Sequence, residues 1–389
     1  MKKTYAANFI LIIFSTFISF ASGEIIIRSI VPKNIWGRVD VSKDFWILDK
    51  KLGWRNKKSL KINFGNTNGE KILLKTNEDG IYPHTTNRYI NYSDTKKDIR
   101  IALIGDSTMM GRSVDEGKRL ADILNVKLNK SPKKEDIKYS VFSYAVEGYN
   151  IEQVYASYLY FDELYKPDIV IYGICHNDWD NIGEEKMSIF AKPTIAINSS
   201  GNIQIKEAFI NEKDLAQNNV YYSSNKIKRF INKLALYRIS RLYVPKFLQK
   251  IGLYSHERET SYLPIQRVAT KESEIIIRKL IEDIFDRTNG NLIVYTFPDV
   301  FESEESIIKT YNSGNYNKYQ FRNRLEKLLQ DSHAKKSYTE ILPMFAKLKG
   351  NNTTHLLPYD MHLNSLGFEY ISEILIPKIE ELNLNKNYN

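Results

Sequence analysis

Residues 100–109 read Arg100-Ile101-Ala102-Leu103-Ile104-Gly105-Asp106-Ser107-Thr108-Met109. The apolar run that ends at Gly105 is typical of a buried strand in a parallel sheet, and helix-like sequence follows Ser107. A serine between a strand and a helix exposes its Oγ near the positive end of the helix dipole, which suits a nucleophile. Asp106 or Ser107 would equally suit the N-cap of that helix. The stretch predicts a strand–turn–helix unit and leaves the role of Ser107 open.

Strand-like and helix-like segments alternate after this unit, which predicts a parallel sheet with helices on both faces. The predicted strands are 101–104, 139–144, 168–174, 292–297 and 338–342, and the predicted helices are 115–128, 151–165, 272–285, 319–329 and 368–382. Ligands of such α/β sheets bind beyond the carboxyl ends of the strands. Ser107, Gly148 and Asn177 each follow such an end, so we expect them to lie close together.

The remaining chain divides by pattern into two further parts. Residues 24–97 contain turn signals between short strand-like runs and are expected to form a β-rich lead-in packed on the main domain, 98–389. Residues 186–265 interrupt the alternation, and apolar side chains recur there at helical spacing, which predicts a helical insertion. Its stretch from Lys226 to Lys250 carries eight Lys or Arg and no Asp or Glu. It is either an amphipathic helix on the core or a cap or lipid-facing surface.

The composition narrows the function classes. The chain has 389 residues and a formal net charge of +10, and its 42% hydrophobic content is enough for a substantial core. No zinc-finger, RNA-recognition or basic-zipper pattern accompanies the positive charge, so nucleic acid is not an expected partner. The one cysteine, Cys175, forms no internal disulfide or metal cluster. Because it ends an apolar run, it is expected to be a buried structural thiol and not a Cys-His nucleophile.

The amino terminus carries a membrane or export signal. Lys2 and Lys3 precede an uncharged stretch that ends at Gly23. Such a segment either spans the bilayer as an anchor, with the main domain outside the cytoplasm, or is removed at the small residues 21–23. We expect residues 1–23 to be the retained anchor, with a cleaved signal peptide as the alternative.

Three further segments supply what a serine nucleophile needs. Gly148 follows the second strand, Asn177 follows the third, and a loop before the last helix carries Asp360 and His362. His362 would be the base that activates Ser107, and Asp360 would orient its imidazole. The Ser107 N–H, the Gly148 N–H and the Asn177 amide would stabilise a tetrahedral oxyanion. No cofactor or metal is required for this chemistry.

These four blocks, in this order, resemble those of the GDSL/SGNH hydrolases, whose name-giving residues would here be Ser107, Gly148, Asn177 and His362. The resemblance covers residues 99–180 and 291–382, and the lead-in sequences 52–55 and 76–80 resemble those of exported or membrane-anchored bacterial members. Two spacings depart from the family. Gly173 lies four residues before Asn177, and Asp360 lies two residues before His362 where three is common. A backbone carbonyl in place of Asp360 as the partner of His362 therefore stays open.

The resemblance implies a flavodoxin-like three-layer α/β/α fold of about five parallel strands and a metal-free serine esterase. Its expected substrates are acylated glycans or small esters, and O-acetyl groups above all. The alternatives are an O-acetyltransferase to a cell-surface glycan, since attack by a sugar hydroxyl shares the first half-reaction, and a non-catalytic glycan-binding module. The expected location is the bacterial cell envelope, and the sequence predicts no oligomeric state.

Overall fold

A computed structural model describes most of the chain, in twelve stretches. These are residues 2–31, 45–65, 70–82, 98–112, 114–130, 137–187, 190–217, 234–237, 239–240, 270–297, 319–349 and 362–386. The strands are β1 (Trp46–Asp49), β2 (Gly53–Asn56), β3 (Lys61–Gly65), β4 (Lys71–Lys75), β5 (Ile99–Ile104), β6 (Tyr139–Ser143), β7 (Ile169–Ile174), β8 (Lys186–Met187), β9 (Phe190–Ala191), β10 (Thr194–Ile197), β11 (Ile203–Lys206) and β12 (Leu292–Thr296). The α-helices are α1 (Lys2–Ile30), α2 (Ser107–Met110), α3 (Leu120–Asn129), α4 (Ile151–Tyr165), α5 (Glu212–Gln217), α6 (Lys271–Arg287), α7 (Tyr319–Gln330), α8 (Leu342–Lys349) and α9 (Ser365–Lys386).

The core is a parallel sheet of four strands in the order β12-β7-β5-β6. Ala102 of β5 pairs with Phe142 on one side and with Val170 on the other. Nearly every residue of these strands is buried, as expected where helices cover both faces. Numbered along the chain, the order is 2-1-3-4, which is the flavodoxin-like arrangement. The predicted α/β class with a parallel sheet is confirmed.

The direction of each crossover decides which face a helix covers. The connection from β5 to β6 moves one way along the sheet, and those from β6 to β7 and from β7 to β12 move the other way. Because such crossovers are right-handed, α3 lies on one face, and α4 and α6 lie on the opposite face. Helix α9 packs beside α3. This arrangement leaves the carboxyl ends of the strands clear of crossover helices.

The predicted fifth strand, 338–342, is reduced to one residue. Tyr338 forms a single parallel bridge with Val294, and the Thr339 N–H donates to the Val294 carbonyl at 2.8 Å. A 3-10 helix, His333–Ser337, precedes this point, and α8 begins at Leu342. Pro343 in the first turn of α8 favours the helix start, because proline needs no N–H partner there. The run is therefore too short to extend the ladder.

The described lead-in consists of two antiparallel hairpins, β1–β2 and β3–β4. Trp54 of β2 is 1% exposed. Its ring packs at 5.6 Å against that of Tyr149, whose hydroxyl donates to the Trp54 carbonyl at 2.5 Å. The Gln153 side chain donates to the Leu52 carbonyl at 2.9 Å. The first hairpin thus supports the segment between β6 and α4.

The insertion begins with strands, where helix was expected. Within 186–217, β8–β9 and β10–β11 form two short hairpins before the short helix α5. The turn after β10 contains Gly201 at φ +78°, a backbone conformation that favours a hairpin. The basic stretch 226–250 lies outside the described residues except for 234–237 and 239–240.

The chain divides into two compact units, of which the larger, 42–64 with 71–222 and 266–389, contains the sheet. The smaller unit covers 1–41, 65–70 and 223–265. Its helix α1 includes a 20-residue segment, Leu11–Ile30, with a mean hydropathy of 1.6. That segment fits a signal anchor or a signal peptide. Both Glu24 carboxylate oxygens accept backbone N–H groups, from Ala235 and from Leu236, at 2.8 Å.

Candidate active site

The turn between β5 and α2 sets the position of Ser107. Gly105 lies at φ +153°, and a Cβ there would sit 2.8 Å from the Gly173 carbonyl oxygen, so only glycine fits without a backbone shift. Asp106 is the N-cap of α2, and its Oδ1 accepts the Thr108 N–H at 2.8 Å. Ser107 is the first residue of that helix, where a backbone N–H has no intrahelical acceptor. Asp106 is therefore the cap of α2, and the Ser107 hydroxyl is not needed for capping.

That hydroxyl meets His362. The Ser107 Oγ lies 2.7 Å from the His362 Nε2, although the two residues are 255 positions apart. Ser107 is 8% exposed, and His362 is half-buried just ahead of α9. With the imidazole proton on Nδ1, Nε2 accepts a hydrogen bond from the serine hydroxyl. This is the geometry that a serine nucleophile and its general base require.

Asn177 is brought to the same turn by Asp106. Its Nδ2 donates to the Asp106 Oδ2 at 3.2 Å, and the Ser107 hydroxyl lies 3.3 Å from that same oxygen. An amide NH2 carries two hydrogens, so one bond to Asp106 leaves a second donor for a ligand. The Asp106 carboxylate therefore joins the nucleophile turn to the loop after β7. Sequence reasoning treated it only as a possible cap.

Gly148 occupies a turn after β6 that requires glycine. Its φ is +79°, a left-handed conformation that other residues adopt only with strain. The preceding carbonyl, that of Glu147, accepts the Trp54 indole N–H at 3.1 Å. The Tyr149 N–H donates to the Val146 carbonyl at 3.3 Å and closes the turn. The lead-in thus fixes the turn that carries Gly148.

Two buried acidic residues, Asp106 and Asp178, lie at the base of the site. Asp178 is fully buried, and its Oδ2 accepts the Cys175 N–H at 3.2 Å. Burial, together with the nearby Asp106 carboxylate, raises the pKa of Asp178 well above its usual range. Removal from water and the same two carboxyl groups raise the pKa of the Cys175 thiol. Its Sγ lies 3.1 Å from the Thr108 hydroxyl. A thiol with a raised pKa is a poor nucleophile, in keeping with the structural role expected of Cys175.

The structure thus places the predicted residues as follows. Ser107 and His362 are in hydrogen-bonding contact, and Asn177 is tied to the residue before Ser107. Gly148 occupies a left-handed turn at the carboxyl end of the neighbouring strand β6. Asp360 lies outside the described residues, so its relation to His362 is still an expectation.

Comparison with known proteins gives no family assignment. No protein-family model matches the chain, and no curated protein matches it. Among solved structures, the chain is similar to a crystal structure of TesA, with 11% sequence identity and a TM-score of 0.35. The match covers 73% of this chain and 99% of that one.

Proposed function

We propose that the protein is a serine esterase in which Ser107 is the nucleophile and His362 the general base. The observation that carries this proposal is the 2.7 Å contact between the Ser107 Oγ and the His362 Nε2. A serine hydroxyl is a weak nucleophile at neutral pH and needs such a base within hydrogen-bond reach. The placement of Ser107 at the carboxyl end of β5 adds support, because substrates of α/β sheets bind at that edge.

The reaction proceeds in two steps. The Ser107 oxygen attacks the ester carbonyl carbon while its proton moves to the His362 Nε2. The imidazolium then gives that proton to the departing alcohol, and an acyl-Ser107 ester remains. In the second step an incoming hydroxyl attacks this ester, again with His362 accepting and then returning the proton to Ser107. Water as the incoming group gives hydrolysis, and a sugar hydroxyl gives acyl transfer.

Three donors are proposed to bind the oxyanion of each tetrahedral intermediate. They are the Ser107 N–H, the Gly148 N–H and the Asn177 side-chain amide. Donors of this kind stabilise the transition state most strongly when they are already oriented before charge develops. The capped turn at Ser107, the left-handed turn at Gly148 and the bond from Asn177 to Asp106 support such orientation.

The proposed substrates are O-acetyl esters on a carbohydrate or a related molecule. This assignment rests on the resemblance of the four sequence blocks to those of the GDSL/SGNH hydrolases, which implies esterase or O-acyl transfer chemistry on carbohydrate or lipid-like substrates. We further propose that α1 is a retained anchor that holds the main domain outside the cytoplasm. In support, α1 runs without a break through the small residues 21–23, where cleavage would fall.

The direct test is ester hydrolysis by the full-length protein in detergent, with p-nitrophenyl acetate and O-acetylated xylan as probes. We expect Ser107→Ala to lower kcat by about 10³-fold or more. Ser157→Ala is the matched control, and we expect its kcat to be unchanged. It removes a buried hydroxyl in α4, and the Ser157 Oγ lies 3.3 Å from the Tyr144 carbonyl oxygen. Equal rates for wild type and Ser107→Ala would reject Ser107 as the nucleophile, and the absence of any rate above the uncatalysed background in both would favour a non-catalytic glycan-binding module. Acetyl transfer to added xylo-oligosaccharide would identify a sugar hydroxyl as the acceptor.

A further inference from the structure

One ion pair near the site belongs to neither the nucleophile nor its base. The Arg112 Nη1 lies 2.7 Å from the Glu147 Oε1, and both side chains are 16% exposed. Arg112 lies two residues after α2, and Glu147 immediately precedes Gly148. The pair therefore joins the segment that carries the nucleophile to the turn that carries a second proposed oxyanion donor.

Each end of this pair is held by the backbone. The Arg112 N–H donates to the Ser107 carbonyl at 3.0 Å, and the Gly111 N–H donates to the Thr108 carbonyl at 3.0 Å. The Glu147 carbonyl accepts the Trp54 indole N–H at 3.1 Å. The ion pair therefore links a segment hydrogen-bonded to the Ser107 carbonyl with the turn that leads into Gly148.

The sheet itself does not fix the distance between these two donors. The hydrogen bond from the Tyr144 N–H to the Leu103 carbonyl, at 2.9 Å, holds the two segments together four residues ahead of Ser107 and of Gly148. Beyond it the chain leaves β5 and β6 by separate turns. Among the described residues, the ion pair between Arg112 and Glu147 joins the segment after β5 to the segment after β6. Oxyanion donors must lie within a few tenths of an ångström of their working positions.

We propose that Arg112 and Glu147 are positioning residues that set the spacing between the Ser107 N–H and the Gly148 N–H. The proposal rests on the proposed esterase function. The pair acts on the transition state through these two peptide groups and does not itself touch the reacting atoms. Its loss misplaces one donor while the hydroxyl–imidazole pair of Ser107 and His362 stays intact.

The test compares Arg112→Gln with Arg100→Gln in the full-length protein. Arg100 pairs with Asp168 at 3.2 Å, and these side chains are 14% and 16% exposed. This control pair has similar burial but lies at the opposite, amino-terminal end of β5 and β7. We expect Arg112→Gln to lower kcat for p-nitrophenyl acetate by about tenfold to hundredfold with unchanged KM. Arg100→Gln is expected to lower Tm with unchanged kcat, and Arg112→Lys, which keeps the charge, to recover part of the lost kcat.

Three outcomes would overturn the proposal. The first is a kcat of Arg112→Gln within about twofold of wild type, and the second is an equal fall in kcat in Arg112→Gln and Arg100→Gln. The third is a raised KM at unchanged kcat in Arg112→Gln, which would mean that Arg112 contacts the substrate. If Arg112→Gln does not fold, Arg112→Lys and Glu147→Gln are measured instead. A kcat and a KM equal to wild type in both of these variants would contradict the proposal. Failure of the esterase proposal is distinguishable, because Ser107→Ala then keeps the wild-type rate.

Discussion

At the scale of single residues, Asp106 resolves the ambiguity of the Gly-Asp-Ser stretch. Capping and nucleophilic roles were alternatives for the same few residues, and the structure gives the capping role to Asp106. Asp106 caps α2 with one carboxylate oxygen and accepts the Asn177 amide with the other. Ser107 is thereby left to contact His362. A residue that caps a helix can thus also position a donor from a different loop.

Removal of the Asn177 amide tests the proposed oxyanion site. We expect Asn177→Ala to lower kcat for p-nitrophenyl acetate by about 10²–10³-fold, because one oriented donor to the transition state is lost. KM should change little, since the interaction strengthens only as charge develops. Asn202→Ala, in the exposed turn between β10 and β11, is the control with unchanged kinetics. An Asn177→Ala variant with wild-type kcat would remove Asn177 from the mechanism.

Some residues of the candidate site could be predicted from the sequence and others could not, for a physical reason. Ser107, Gly148 and Asn177 could be located because each follows an apolar run that ends abruptly, and parallel strands bring such ends together. The Arg112–Glu147 pair could not be foreseen. Its contact depends on the left-handed Gly111 and Gly148, which set the directions of two turns. No apolar periodicity encodes those directions.

At the scale of elements, apolar periodicity predicted α4 and misplaced the start of α3. The predicted helix 151–165 coincides with α4, whose N-cap Asn150 accepts the Gln153 N–H at 3.2 Å. The predicted helix 115–128 begins at Leu120 instead. Asp115 accepts the Leu73 N–H from the lead-in at 2.8 Å, and Gly117 adopts a positive φ. Contacts with a distant hairpin therefore override local helix propensity there.

The acidic residue in the first turn of α3 makes stability depend on pH. Asp122 is 2% exposed and accepts N–H groups from Gly117 and Arg119 at 2.8 and 3.3 Å. Burial raises its pKa to about 6, and the Arg119 charge opposes that rise. Because the folded state holds this proton more tightly than the unfolded chain, its contribution to stability is complete below about pH 4. That contribution is lost as the pH rises to about 6.

We expect Asp122→Asn to remove this loss, because an asparagine oxygen accepts the same N–H groups without ionising. The free energy of unfolding of the variant relative to wild type should rise by about 3 kcal/mol or less between pH 4 and pH 6.5. Urea denaturation at a series of pH values measures this difference. A difference that is constant with pH would contradict the assignment of the titration to Asp122.

At the scale of the whole molecule, the alternation of strands and helices predicted the fold class. It did not predict the number of strands in the sheet or the hairpins at the start of the insertion. The order 2-1-3-4 places the strands that precede Ser107, Gly148 and Asn177 side by side. The fifth strand does not form, because a 3-10 helix ends at Ser337, just before it, and α8 begins at Leu342. The insertion begins with two hairpins, and the turn of the second contains Gly201. The helical periodicity that predicted a helix belongs to later residues of the insertion.

Retention of α1 is the prediction that concerns the whole chain. We expect the protein recovered from a membrane fraction to begin at Met1 or Lys2 and to resist extraction at alkaline pH. The reason is that Leu11–Ile30 is long and apolar enough to cross a bilayer. Amino-terminal sequencing provides the measurement. A mature protein that begins near Glu24 would show that the segment is a cleaved signal peptide.

The central claim is that an acyl group passes through the Ser107 oxygen. The most direct measurement is acid quenching of the full-length protein during turnover of p-nitrophenyl acetate, followed by peptide mass mapping. Tryptic cleavage after Arg100 and Arg112 isolates residues 101–112, and fragmentation separates Ser107 from Thr108. We predict one acetyl group on Ser107, and none in Ser107→Ala. Acetylation at another residue, or turnover with no acylated peptide, would contradict the account.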